Sequence, residues 1–347
     1  MTRTYKKACK DEVIDINKEA KRIAEKINLH DRMEQLAERE VCVSLKDHKP
    51  NKPTCRLINP AKSEIGHVSK TILGRIVERV TKSTGTNLWK NTREVLELYR
   101  NFPNKQNASF ISFDIVDFYP SITESLLHKA IRYTKQYTEI QDHEIDIIIH
   151  AKRTLVFNGE GPWKKNDNNS EFDVTMGSID GAETCELVVY YMLSLLQPKY
   201  GKSIRLFRDD GLGISPTTPN KTEKAKEDIC KIFHENDLKV TIEVNKKMVN
   251  FLDVTLDLNS GQYMPYMKPN NKLQYVNTKS NHPPAVLKNI PLGVNKRLSE
   301  ISSNEEIFHR AAPVYQKALD DSDYEFELHY EQPRPETDKR SRKRNII

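Results

Sequence analysis

Two periodicities of apolar residues alternate along this chain, and the switches between them mark its elements. Over residues 11–40, Ile14, Ile16, Ala20, Ile23, Ala24 and Ile27 recur at helical spacing among Glu and Lys, which predicts one or two lead-in helices. Two short β-rich pieces follow at 41–45 and 55–58, separated by a lysine-rich loop with prolines, the pattern of a strand pair with a basic tip. Helical spacing returns over roughly 68–101. A strand and a helix are predicted over 110–138, a further helix over about 140–153, and a polar loop, NGEGPWKKNDNNSEFD, over 158–173.

A glycine-containing loop, Gly177 to Gly181, then feeds a strongly apolar helix to about Leu196. SIRLFRDDGLGIS reads as two short strands around a tight turn, since Asp-Gly between apolar residues is a strong hairpin signal. The helix KTEKAKEDICKIFHEND gathers Ala225, Ile229, Ile232 and Phe233 on one face. LKVTIEV alternates Leu238, Val240, Ile242 and Val244 with polar neighbours, and FLDVTLDL does the same with Leu252, Val254, Leu256 and Leu258. Strands interleaved with helices, and then consecutive hairpins, predict an α+β fold around an antiparallel sheet. From about Asp321 the chain turns acidic, then Pro-rich, then basic, the composition of a disordered tail.

Composition narrows the setting. A length of 347 residues suits two or three subdomains sharing one large core, and 37% hydrophobic with 30% charged residues describes a soluble protein. No window of eighteen apolar residues occurs, and MTRTYKKACKDEVID lacks the apolar centre of a signal peptide, so an intracellular location away from membranes is expected. Cys9, Cys42, Cys55, Cys185 and Cys230 are odd in number and lack zinc-site spacing, which reads as reduced thiols. The net charge of +6 is concentrated in KDHKPNK at 46–52, NKK at 245–247 and KRSRKR at 339–344. Such runs favour polyanions, and the last also suits nuclear import.

The stretch FISFDIVDFYPSI at 110–122 ends an apolar strand on an aspartate. Pro120 cannot donate to a ladder, so the strand should stop near Asp114, and SITE behind it reads as a capping box between Ser121 and Glu124. A second unusual carboxylate site is FRDDG at 207–211, where adjacent aspartates repel each other and raise the local demand for cations. Asp114 at a strand end and Asp209-Asp210 on a neighbouring hairpin can converge on hard cations such as Mg²⁺. Two such ions about 3.5–4 Å apart serve polymerases and nucleases.

With these motifs in order, the chain resembles a reverse transcriptase of the Penelope-like and related non-retroviral retroelements, across about residues 41–310. FDIVDFYPSI, MGSIDGAETCEL and FRDDG resemble the first three palm motifs, while EVNKK and NFLDV resemble the fourth and fifth. SLKDHKP with TCRLI resembles the fingers, and SNHPP with IPLGVNKRLSEI the start of the thumb. The resemblance implies a right-hand polymerase with an antiparallel palm sheet flanked by helices. Residues 1–40 become a helical lead-in and 41–320 the catalytic domain, mainly fingers at 41–109, mainly palm at 110–262 and thumb start at 263–320. Residues 321–347 are left as a flexible basic tail.

It further implies an RNA-directed DNA polymerase that adds dNTPs to a primer 3′-OH on an RNA template, with two Mg²⁺ ions that Mn²⁺ can replace. Asp114 and Asp209 would be the principal metal ligands, with the backbone carbonyl of Ile115 a further one and Asp210 nearer the primer end. Tyr119 falls at the steric-gate position that excludes a ribose 2′-OH. Lys46 and Arg56 correspond to the pair that grips the triphosphate, Gly177 to a close backbone approach to the nucleotide, and Lys246 or Lys247 to the acid for pyrophosphate. Phe251 and Leu252 would support the DNA primer, or simply fill a core. The chain departs from the family at Ser178-Ile179-Asp180, where Ser-Pro is common, and at Arg208, where a small or apolar residue is common. No endonuclease, RNase H or integrase pattern is present, as expected of a fragment or a trimmed element. The rival readings are a template-directed RNA polymerase, against which Tyr119 argues, and an inactive nucleic-acid-binding remnant, against which the intact aspartates argue.

Overall fold

A computed structural model describes residues 5–26, 40–46, 54–60, 63–86, 88–166, 171–201, 203–216, 218–269 and 271–332. In chain order the elements are β1 (Tyr5–Lys7), α1 (Lys10–Lys26), β2 (Cys42–Lys46), β3 (Thr54–Ile58), α2 (Glu64–Thr84) and α3 (Thr92–Asn101). Then come β4 (Ser109–Ile115), α4 (Phe118–Ser121), α5 (Glu124–Thr134), α6 (Asp142–His150), β5 (Val156–Asn158), β6 (Gly161–Lys165) and α7 (Gly181–Tyr200). The remainder is β7 (Arg205–Phe207), β8 (Asp210–Ser215), α8 (Pro219–His234), β9 (Val240–Lys246), β10 (Met248–Phe251), β11 (Val254–Asp257), β12 (Tyr263–Pro265), α9 (Pro284–Glu300) and α10 (Glu305–Asp320). Among the described residues every pairing between these strands is antiparallel, as expected, beside one isolated parallel bridge between Glu40 and Phe157. The basic loop at 47–53 and the run at 339–344 lie outside the described residues.

The chain divides into two compact units, residues 1–90 with 109–246, and residues 91–108 with 247–347. The first unit is built on a four-stranded sheet of order β7-β8-β4-β9. Alternate residues of β4, Ile111, Phe113 and Ile115, enter the core, where Phe113 meets Phe233 of α8 edge-on at 5.6 Å. Helix α7 supplies much of that core. Leu187, Val188, Val189, Tyr190, Met192 and Leu193 are all buried, so it is apolar nearly all round, as an interior helix must be.

Gly211 of β8 sits opposite Phe113, and a Cβ there would lie 2.2 Å from the Phe113 ring. The glycine after the paired aspartates therefore exists for packing. Gly211→Ala is expected to destabilise the protein by about 1–3 kcal/mol through overpacking, read as a lowered denaturant midpoint; an unchanged midpoint would contradict this packing account.

The second unit joins α3 to the sheet β10-β11-β12 and to α9 and α10. This grouping crosses the expected boundaries at residues 109 and 262. Its cause is local: the Tyr99 hydroxyl donates to the carbonyls of Asp257 at 2.5 Å and Gln262 at 3.1 Å, and Lys247 Nζ donates to those of Gln106 and Ala108. The expected tail boundary at residue 321 also moves. Tyr324 and Leu328 are buried with Leu298, Phe308 and Leu319, and the His329 and Glu331 amides donate to Asn295 Oδ1 and Ser299 Oγ.

Other expectations need correction. The polar loop at 158–173 opens instead with the β5–β6 hairpin, whose Gly159-Glu160 turn is held by the Glu160 amide donating to Asn158 Oδ1. The helical stretch at 68–101 is α2 and α3, separated after Gly85 takes a left-handed φ of 57°. Helix α5 is capped by Thr123, which accepts from the Leu126 amide, rather than by Ser121, whose hydroxyl donates to the Val116 carbonyl.

Candidate active site

The C-terminal end of β4 gathers the carboxylates. Asp114 is exposed while its neighbours Phe113 and Ile115 are buried, because successive side chains take opposite faces of the sheet. Its register partner on β8 is Asp210, and on β9 Thr241. Directly opposed residues share a face with Cβ atoms about 4.5–5.5 Å apart, and like charges so placed repel. Immediately beyond, the Ile115 amide donates to the Asp209 carbonyl at 3.0 Å and the Val116 amide to the Lys239 carbonyl at 2.8 Å. Asp114, Ile115, Asp209 and Asp210 thus meet at one sheet end.

The hairpin turn falls one pair earlier than the Asp-Gly signal suggests. Phe207 pairs with Asp210, leaving Arg208 and Asp209 as the two-residue tip, with Arg208 at φ 57° and its guanidinium 5.6 Å from the Phe207 ring centroid. Because Gly211 is fixed in the strand under Phe113, the turn forms over Arg208 despite the cost of a left-handed conformation in a side-chain-bearing residue.

Tyr119 sits beside these groups. Asp117, at φ 46°, turns the chain from β4 into α4, and the Tyr119 ring then lies 3.4 Å from where a Cβ on Gly181 would project. The Cys185 thiol lies close to its hydroxyl. Burial, then Cys185, push the Tyr119 phenol up to about 12; the nearby Arg208 cation opposes this and the Asp209 charge adds to it. The ring is therefore protonated at neutral pH and within electrostatic reach of Asp209. Cys185, which the sequence reading treats only as a thiol, is buried beneath it, and all five cysteines are free.

Gly177, at φ +94°, makes a close approach, but to protein: a Cβ there would lie 2.6 Å from the Asn59 carbonyl, and the Asn59 amide donates to the Met176 carbonyl at 2.8 Å. Its loop is thereby docked on the chain leaving β3. Arg56 and Lys46 occupy register positions opposite Ser44 and Thr54 in the β2–β3 pair; their side chains lie outside the described residues.

The two candidate acids are not at this site. Lys246 is paired opposite Phe110, four positions along β4 from Asp114, or about 13 Å, and its ammonium is 3.8 Å from Glu243. Lys247 is engaged by two backbone carbonyls of the second unit. A lysine whose backbone does reach the carboxylate end is Lys239, which precedes β9, accepts from the Val116 amide through its carbonyl and has an exposed side chain. Its signal was present in LKVTIEV, where it is the polar position opening the alternating strand.

In the second unit, Phe251 is buried core, whereas Leu252 and Asp253 form the turn between β10 and β11. FLDVTLDL is thus a turn and a strand. Leu252 has φ 54°, an outlier for a bulky side chain, and the turn is braced by Arg297 of α9, bidentate to the Asp253 carboxylate, and by the Thr92 hydroxyl on Asp253 Oδ1.

The donors at the β4 end are hard carboxylate oxygens, the type that suits Mg²⁺ or Mn²⁺. Among the described residues no three His, Cys, Asp or Glu side chains are already gathered into a metal cage. No described helix is long and apolar enough to cross a membrane. No family model and no curated protein matches the chain. Solved structures do. Telomerase from Candida albicans in complex with a TWJ fragment of telomeric RNA superposes with a TM-score of 0.57 at 12% identity, over 91% of this chain and 55% of the telomerase chain. The RNA-dependent RNA polymerase of a human picorbirnavirus matches with a TM-score of 0.50 at 9% identity, over 92% of this chain and 78% of its own. The chain spans little more than half the telomerase chain that it matches. Its mixed helical and antiparallel-sheet architecture is similar to that of these two polymerases.

Proposed function

We propose that the chain is an RNA-directed DNA polymerase of the retroelement type, adding deoxynucleotides to a primer 3′-OH on an RNA template. The observation that carries this reading is the pairing of Asp114 with Asp210 across β4 and β8, with Asp209 at the adjoining turn and Tyr119 beside it. Opposed carboxylates on an exposed sheet end are a poor choice for stability and a good one for cations. Asp114 and Asp209, with the Ile115 carbonyl, would hold two Mg²⁺ ions, which when bound supply an activated attacking oxygen and charge neutralisation at the leaving one. Asp210 faces the primer side, and Lys239 supplies positive charge for the departing pyrophosphate in place of Lys246 and Lys247.

Tyr119 decides the sugar. Its ring, set beside Gly181 and the Cys185 thiol, takes the volume near Asp209 that a 2′-OH would need, which favours a DNA product. The likeness to a viral RNA polymerase supports the alternative product, so the two are tested against each other. With an RNA template and annealed DNA primer, four dNTPs should be extended and four NTPs should not; efficient NTP use with poor dNTP use would assign the chain to RNA synthesis instead.

The Leu252 turn gives a separate prediction on the primer side. Arg297→Met removes the bidentate brace on Asp253, and with it one of the contacts that hold Leu252 in its left-handed conformation. Apparent affinity for primer–template should fall by about three- to tenfold with the dNTP KM unchanged. A rise in dNTP KM alone would move that turn out of primer binding.

A further inference from the structure

Asp180 closes the segment Ser178-Ile179-Asp180, which departs from the motif that the chain resembles, and it is 1% exposed. It occupies the N-cap of α7 without capping: its carboxylate makes no bond to the free helix amides. It pairs instead with Lys152 Nζ and accepts from the Ser69 hydroxyl of α2. Lys152, just beyond α6, is 0% exposed. Burial pulls its ammonium down while Asp180 pulls it back up. A fully buried ion pair of this kind stabilises weakly by itself, since desolvation offsets the attraction, so another reason for it is called for.

The backbone supplies one. The Lys152 carbonyl accepts from the Asp173 amide at 2.8 Å, so one residue holds Asp173 through its main chain and Asp180 through its side chain. Between those ends runs the loop whose tip, Gly177, presses on the Asn59 carbonyl. On that loop the Thr175 and Ser178 hydroxyls are buried without a protein partner, leaving polar groups on either side of Gly177. Five residues beyond Asp180 on α7 lies the buried Cys185, which feels the Lys152 charge and neighbours Tyr119. We propose that Lys152 is a positioning residue: by stapling both ends of the Asp173–Asp180 loop it fixes the Gly177 backbone and the Tyr119–Cys185 contact that receive the incoming nucleotide. The nucleotide part rests on the polymerase reading above; the staple itself does not.

Two variants separate positioning from mere stability. Lys152→Met leaves a buried, unpaired carboxylate, whereas Lys152→Met with Asp180→Asn leaves none and keeps an acceptor for Ser69. Hydrogen exchange of the amides at 174–179, measured on the free protein, should accelerate at least about tenfold in both variants, while the double variant regains most of the thermal stability that the single one loses. In primer extension both should raise the dNTP KM about tenfold with kcat within about twofold. If the double variant recovers wild-type exchange and KM together with stability, the pair is only structural and the proposal is overturned. Unchanged exchange at 174–179 in Lys152→Met overturns it as well. If the wild-type chain extends no primer, the polymerase reading fails, and the exchange measurement alone decides the staple.

Discussion

Asp209→Asn is expected to lower templated nucleotide addition at least a thousandfold, which corresponds to about 4 kcal/mol of lost transition-state stabilisation. The substitution is nearly isosteric and falls in the two-residue turn, where Asp209 holds β4 through its carbonyl, a contact that asparagine retains. Thermal unfolding should therefore be unaffected. Asp210→Asn supplies the complementary result: it removes one of two opposed carboxylates, so in the absence of divalent cation it should raise stability by about 0.2–1 kcal/mol while reducing activity. A fall in both activity and melting temperature for Asp209→Asn would make it a structural residue. Activity above about a tenth of wild type would remove it from the chemistry.

The second large effect concerns the sugar. Tyr119→Val should improve the efficiency of NTP relative to dNTP incorporation by at least about tenfold, or about 1.4 kcal/mol in the transition-state difference. The structure gives a control: Cys185→Ala removes the thiol next to Tyr119 but leaves the ring against Gly181, so its effect on the ratio should be smaller. Steady-state incorporation of matched ribo- and deoxynucleotides measures both. A parallel shift of the two efficiencies in Tyr119→Val would make the ring a packing element.

Much of the site was legible because it lies on short, strongly patterned segments. SFISFDI alternates or runs apolar up to an exposed aspartate, and the strand ends beside it. The paired aspartates announce a hairpin whatever its exact turn. What misled was local chemistry overruled by packing. Asp210-Gly211 looks like the turn, yet Phe113 requires glycine within the strand, which pushes the turn to Arg208-Asp209. Lys246 and Lys247 sit close in sequence to FLDV, but the β4–β9 register puts Lys246 opposite Phe110, and the chain beside the carboxylate end is the backbone of Lys239. Asp180 and Lys152, well separated in sequence, become partners only because the chain just beyond α6 comes back to the start of α7 in the folded unit; no spacing rule connects them. At the C-terminus, Tyr324 and Leu328 are too sparse to announce a packed segment, though they suffice to bury one against α9 and α10.

Whether Asp114, Asp209 and Asp210 serve RNA-directed DNA synthesis is decided by the addition of one templated nucleotide to a labelled DNA primer annealed to RNA, by the purified chain with Mg²⁺ and with the metal chelated. Incorporation of the complementary dNTP only is expected, dependent on Mg²⁺ and absent from the Asp114→Asn protein prepared in parallel. Failure of the folded wild-type chain to extend primer with either dNTPs or NTPs, or equal extension by wild type and Asp114→Asn, would contradict it.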